Sequence, residues 1–335
     1  MQKRNKQDLL ILFFKSILMG TANKLPGISG GLVALITGFY HEMVITFKSL
    51  NIKTIKSLLR GDFKKIEKEY NGLFLVIVLS GIIVSYFTTS KILDYFFKIS
   101  ELNVWSFFFG MIIASLLILI NQNKINNKND IIYLSIGFSI GFLLSVSNPI
   151  SENQNLLFVF FCGMISICGM IIPGISGSFL LILLGNYKLL LVDSVDALIE
   201  SVYIIIKMDN FNDIDLNLIK ILIVFSLGSV FGLILLSNIL SWLINNYENV
   251  VNQIIIGFVS GSLLIIWPWK KSNPEDFNKL NNLEISDNYL RYLPDLSQTK
   301  DIVALACVIS GLVIVLYIEK YASRKKNIWT YRGKN

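Results

Sequence analysis

The sequence predicts an all-α integral membrane protein of two inverted-topology repeats, each a re-entrant broken-helix hairpin followed by three transmembrane helices. Three observations carry that expectation. The first is composition: of 335 residues, 53% are hydrophobic and 16% charged, with a mean hydropathy of +0.61. A soluble chain carries roughly 25% charge. The second is a pentapeptide, Pro26-Gly27-Ile28-Ser29-Gly30, which returns as Pro173-Gly174-Ile175-Ser176-Gly177. The third is the sign of the charge between the apolar runs.

Residues 72–97, 102–120, 131–147, 219–244, 250–267 and 302–318 are mostly apolar. Each is long enough to cross a hydrocarbon core of about 30 Å. They lack the polar face of a helix in a soluble core. Each half begins with two shorter stretches, 9–23 with 31–47 and 156–172 with 178–192, which meet at the pentapeptide. Lys3, Arg4 and Lys6 ahead of residues 9–19 have the character of a signal peptide. The continuation at 23–43 recurs in the second half, so this segment is expected to be retained.

A single shift of 147 relates the halves. It pairs Gly38 with Gly185, Tyr40 with Tyr187, Gly81 with Gly228, Ser90 with Ser237 and Ile92-Leu93 with Ile239-Leu240. It also pairs Gly110 with Gly257 and Ser115-Leu116 with Ser262-Leu263. The first repeat occupies 1–150, with hairpin 9–47, loop 48–70 and three spans. The second occupies 151–320, with hairpin 156–192, loop 193–218, two spans, an insert at 268–300 and the span 302–318. Residues 321–335 form a basic tail.

Charge sets the expected orientation. Loop 48–70 carries seven Lys or Arg against three acids, whereas its counterpart 192–218 carries Lys207 against six acids. Equivalent loops of opposite charge belong on opposite sides of a membrane. The basic N-terminus, loop 48–70, loop 121–130 and tail are then cytoplasmic, and 192–218 and the insert lie outside. The net charge of +7 reflects this pattern and not a nucleic-acid partner. Cys162, Cys168 and Cys307 sit in apolar runs as packing residues. With His41 the one histidine, no histidine-built metal centre and no cofactor are expected.

Proline and glycine end helices, and a break at membrane depth must be satisfied by protein or line a wet cavity. After the break the next half-helix points free N–H groups and a partial positive charge inward. Glycines let an anion approach the backbone, and Ser29 and Ser176 stand at N-cap positions. Paired breaks in inverted halves point to a transporter site for an anionic group. Lys24 adds a cation, with Ile171 as its counterpart, so the site is asymmetric. His41 and Glu42 follow Tyr40, and Lys188 replaces His41 in the second copy. Lys91 and Asp94 read as a structural pair at i, i+3. Trp105, Trp242, Trp267, Trp269 and Trp329 fall mostly near span ends, as belt residues do.

The string Gly20-Thr21-Ala22-Asn23-Lys24-Leu25-Pro26-Gly27-Ile28-Ser29-Gly30-Gly31, then Gly38-Phe39-Tyr40-His41-Glu42, resembles the bacterial polyprenyl-phosphate transporter family. The second match is Pro173 to Ser178 with Gly185-Asn186-Tyr187. The resemblance extends over nearly the whole chain. It implies a multi-pass protein of the bacterial cytoplasmic membrane that returns undecaprenyl phosphate after its use outside. It carries over a head-group set of Asn23, Lys24, Pro26, Gly27, Ile28, Ser29, Gly30 and Gly31 with Pro173, Gly174, Ile175, Ser176, Gly177 and Ser178. Tyr40, His41, Glu42 and Tyr187 are gating or coupling candidates. The expected partners are the polyprenyl-phosphate lipid and, at the basic segments, anionic membrane lipids. The second motif departs from the first: Ser178 replaces Gly31, and Asn23, Lys24 and Glu42 have no counterparts. The 268–300 insert does not map onto the family pattern.

Three other readings compete with this one. An undecaprenyl-pyrophosphate phosphatase has a related loop, but its loop continues with Arg-Ser and is served by paired glutamates that this sequence lacks. An anion channel of inverted half-helices would use similar helix starts. A scaffold protein would not need two breaks at membrane depth.

Overall fold

The structure, a computed structural model, describes residues 5–49, 60–125, 127–146, 152–167, 176–207, 214–272 and 289–332. The regular structure of the described residues is helical apart from one short hairpin. Helix α1 (Lys6–Lys24) starts from a capping box in which Asn5 and Asp8 bond each other's backbone amides. After the first break come α2 (Gly30–Thr37) and α3 (Tyr40–Ser49). An amphipathic turn, α4 (Phe63–Tyr70), buries Ile66 and Tyr70. Helices α5 (Gly72–Ile99), α6 (Glu101–Gln122) and α7 (Lys128–Val146) follow.

The second half holds α8 (Leu156–Ser166), α9 (Gly177–Leu183), a π-helical turn (Leu189–Asp193) and α10 (Ser194–Lys207). Then come α11 (Leu216–Ser262) and α12 (Thr299–Arg332). Among the described residues, four helices are long and apolar enough to cross a membrane: α5, α6, α7 and residues Thr299–Tyr321 of α12. Their outward faces are apolar, with Val76, Ile83, Leu143 and Ile309 exposed.

Several local expectations are refined. The stretches 31–47 and 178–192 are each split by a second break, at Gly38 (φ +87°) and Gly185 (φ +73°). There Phe39 N donates to Ala34 O and Asn186 N to Leu181 O, the long-range bond of a Schellman cap at the same shift of 147. Spans 219–244 and 250–267 lie in α11, whose helical geometry fails at Tyr247 (φ −137°, ψ 33°). Tyr247 is the counterpart of Ser100, the single residue between α5 and α6. Helix α11 stops at Ser262, ahead of Pro268, whose predecessor is disfavoured in helix. The acidic segment after 192 is the helix α10 as far as Lys207.

The repeat recurs as contacts between backbones. A Cβ on Gly81 would press on Phe13 O, and one on Gly228 on Phe160 O, both members shifted by 147. Helix α6 packs on α12, and α7 on α11. A Cβ on Gly110 would collide with Val308 O, and one on Gly257 with Leu134 O. Gly311 meets Phe107 O as Gly137 meets Ile254 O. Here α6 and the C-terminal arm of α11 keep the shift of 147, but α7 and α12 are related by 174. The third helix of each half therefore packs on the second long helix of the other. Both pairs run parallel, because contacts advance together: Asp130 with Asn249, Gly137 with Ile254 and Ser145 with Gly261 along α7 and α11, and Gly110 with Val308 and Gln122 with Glu319 along α6 and α12.

The extra 27 residues between the two shifts fall in the insert. Its described parts form an antiparallel pair, β1 (Lys270–Ser272) with β2 (Tyr289–Arg291). Arg291 Nη2 donates to Ser145 O (2.9 Å) and its Nε to Leu264 O (3.2 Å), and Lys270 Nζ donates to Ile265 O. These cations cap the C-terminal carbonyls of two parallel helices, the end that favours positive charge.

Small residues let these helices touch through their backbones. Gly257→Val is therefore expected to cost about 1–3 kcal/mol by overpacking, read as a lower melting temperature in detergent. An unchanged melting temperature would show that α7 and α11 do not need close approach.

Candidate functional site

The first break is built against α6. Leu25 N closes α1 by donating to Thr21 O (3.2 Å), and Pro26 has no amide to satisfy. Gly27 turns the chain at φ +86°, and its carbonyl accepts from Ser115 Oγ on α6. Ser29 O then accepts from Leu32 N (3.0 Å) and Val33 N (3.3 Å), so Ser29 stands at the N-cap of α2 through its backbone.

The missing side chain of Gly30 is replaced in space by Asn23: a Cβ on Gly30 would overlap the Asn23 carboxamide. Asn23 Nδ2 is buried without a hydrogen-bond partner. An orphaned amide donor costs roughly 1–3 kcal/mol, so its retention here points to a ligand. At Gly31 the open Cβ position lies 3.4 Å from Ser29 Oγ and 3.5 Å from the Tyr40 ring. Asn23, Ser29, Gly30, Gly31 and Tyr40 thus converge on the start of α2.

Of the second break, Pro173, Gly174 and Ile175 lie outside the described residues, as does Cys168. Ser176 takes the N-cap position of α9 with extended backbone (φ −99°, ψ 130°), but its hydroxyl makes no cap bond. It pairs instead with Ser178 Oγ (2.6 Å) and reaches Leu25 O at 3.4 Å. Tyr187, 1% exposed, donates from its hydroxyl to Lys24 O at 2.9 Å. Its ring packs edge-on against Phe108 and Trp105. The second-half residues Ser176 and Tyr187 therefore touch the last turn of α1 and the first break. Gly177 is pressed against α8, where a Cβ would meet Ser166 O.

Lys24 is fully buried. Its ammonium donates to Tyr86 O (2.7 Å), to Leu191 O (2.6 Å) and to Ser90 Oγ. Those are three acceptors for three hydrogens. The Tyr86 ring lies beneath it, 4.9 Å from Nζ.

Other candidates fall elsewhere. Glu42 accepts from Asn71 Nδ2 (2.8 Å) at the turn into α5 and so serves the base of the hairpin. His41 belongs to α3 by its backbone; its side chain is outside the described part. Lys91 and Asp94 do not pair. Lys91 reaches across to Asp196 (2.5 Å) and Glu200 (3.5 Å) on α10, while Asp94 binds Lys98 one turn on (2.7 Å). Trp269 is not a belt residue but is buried, 2% exposed, against Trp267.

Sequence reasoning missed Tyr86, Leu191 and the contact roles of Ser90 and Ser115. In the sequence the two serines stand out only as repeat markers. Their one signal was a hydroxyl inside an apolar span, which needs a partner when buried.

A family profile described as undecaprenyl phosphate translocase-like matches residues 19–282. A polyprenyl-phosphate transporter of Vibrio cholerae is 30% identical over 322 residues, covering 95% of this chain and 98% of that protein. One from Staphylococcus aureus is 24% identical over 276 residues, covering 78% and 88%. No solved structure matches the chain.

Proposed function

The chain belongs to the undecaprenyl phosphate translocase-like family, and on that premise we propose that it carries a polyprenyl phosphate across the bacterial cytoplasmic membrane. The family is one of translocases and not of enzymes, so the site binds and moves its ligand without bond chemistry. The phosphate docks between the two breaks while the polyprenyl tail stays in lipid. Asn23, Ser29 and the backbone amides that open α2 serve it from one side. Ser176, Ser178 and the rest of the second break serve it from the other, with Lys24 as the cation.

The observation that carries this reading is the buried, unpartnered Asn23 amide at the head of α2. A phosphate oxygen is the acceptor that such a donor, beside a half-helix start, would take.

Transport follows from two inverted repeats that rock about the site. Support comes from the helix pairs. Helices α6 and α7 are consecutive spans joined by a short loop, so they run in opposite directions. Helix α12, the repeat counterpart of α7, runs parallel to α6. The third helices of the halves then point opposite ways, which is what inversion requires. Both termini are cytoplasmic in this reading, and the basic segments there hold anionic lipids.

The test is transbilayer movement of a labelled polyprenyl phosphate in proteoliposomes. Asn23→Ala should slow it about tenfold, the value of one charge-assisted hydrogen bond of roughly 1.5 kcal/mol. Asn23→Asp, which opposes the phosphate charge, should slow it more. Equal rates in both variants and wild type would remove Asn23 from the site. Chloride flux without lipid movement would favour a channel.

A further inference from the structure

Two features break the repeat, and they are bonded to each other. Lys24 has an isoleucine, Ile171, at its repeat position. The π turn Leu189–Asp193 has residues 42–46 as its counterpart, which are ordinary α-helix within α3. A π turn shifts the bonding register, here with Ser194 N donating to Leu189 O. That shift frees carbonyls for other donors, and such turns gather at functional sites. Leu191 O, within this turn, accepts from Lys24 Nζ (2.6 Å) and from Ser90 Oγ (2.7 Å).

The ammonium therefore ties the end of α1 and the middle of α5, both first-half elements, to the segment that follows the second break. All three of its hydrogens are committed: to Tyr86 O, Ser90 Oγ and Leu191 O. A phosphate oxygen can reach Lys24 only by displacing one of them. Tyr86 O and Ser90 Oγ belong to α5, which packs along α1. Leu191 O belongs to the other half and is the acceptor that can leave with it.

We infer that Lys24 is a shared ligand: it is held on Leu191 O in the empty carrier and is transferred to the phosphate when the lipid binds. Ser90 is the positioning residue that sets the strength of the tether. Substrate binding then releases the second half from the first, which couples occupancy to movement. This inference rests on the transporter reading above.

Ser90→Ala tests it, because it removes one acceptor of the ammonium and the second donor to Leu191 O without touching the head-group set. A weaker tether raises the fraction of carrier ready to bind, so the apparent KM for polyprenyl phosphate should fall about three- to tenfold. In nanodiscs, wild-type amides 189–194 should exchange hydrogen faster when the lipid is added. Ser90→Ala should show the faster exchange already without lipid. An unchanged KM with a lowered melting temperature would make Ser90 purely structural and overturn the inference. So would lipid binding that leaves exchange at 189–194 unaltered. Wild-type protein that neither binds nor moves the lipid would overturn both the inference and the transporter reading.

Discussion

Gly27→Ala is expected to abolish lipid movement, by at least about a hundredfold, while the protein still inserts and folds. Two costs fall on the same atom. A residue with a Cβ at φ +86° pays roughly 1–2 kcal/mol in the left-handed region. The new Cβ would also stand 2.7 Å from Met111 O and 2.9 Å from its carbonyl carbon. Those are backbone atoms inside α6 and cannot swing aside as a side-chain tip would. The break must move off α6 instead, and with it goes the Ser115 bond to Gly27 O. Displacing the start of α2 by even an ångström uncouples Asn23 and Ser29 from the position they share.

Gly38→Ala is the control. Its φ is nearly the same, +87°, but a Cβ there meets nothing within 4 Å. It should lower the melting temperature modestly and leave transport within about threefold, since only the conformational cost applies. If both variants transport equally well, contact with α6 does not hold the site, and the geometry of the first break is not what binds the lipid.

The parts of this molecule that were readable in the sequence are those governed by period and local chemistry. Spans were legible because lipid tolerates little charge, so α5, α6 and α7 fall within a few residues of their expected limits. The first break was legible because proline and glycine act on their own neighbours. What escaped was every feature decided by distant packing. The 147-residue shift could not show that the third helices exchange partners, because the insert offsets α12 from α7. Lys91 looked like a partner for Asp94 at helical spacing, yet Asp196 lies closer in space. At the candidate site, Asn23, Ser29 and Tyr40 lie close along the chain, so their approach at the start of α2 needs only local geometry. That Ser176 would reach Leu25 O, or that Tyr187 would hold Lys24 O, depends on how the halves dock. The π turn had no sequence signature at all, since Leu189, Leu190 and Leu191 read as plain apolar helix.

Lys24→Met should separate stability from function. A buried ammonium costs several kcal/mol of lost hydration, recovered only in part by its acceptors. Methionine keeps nearly the same length without that cost. The groups it abandons are not stranded: Ser90 Oγ still donates to Leu191 O, and Tyr86 O keeps its helical amide. The melting temperature should therefore hold or rise. Lipid movement should fall at least about a hundredfold, because both the cross-half tether and the proposed cation for the phosphate are gone. Arginine is not a substitute, since its planar fork cannot serve three acceptors gathered around one nitrogen. Lys24→Arg should lose transport and stability together. A Lys24→Met protein that melts much earlier yet still moves lipid would mark the ammonium as a structural pin. The opposite pattern would mean that the fold retains a destabilising charge at membrane depth because transport requires it.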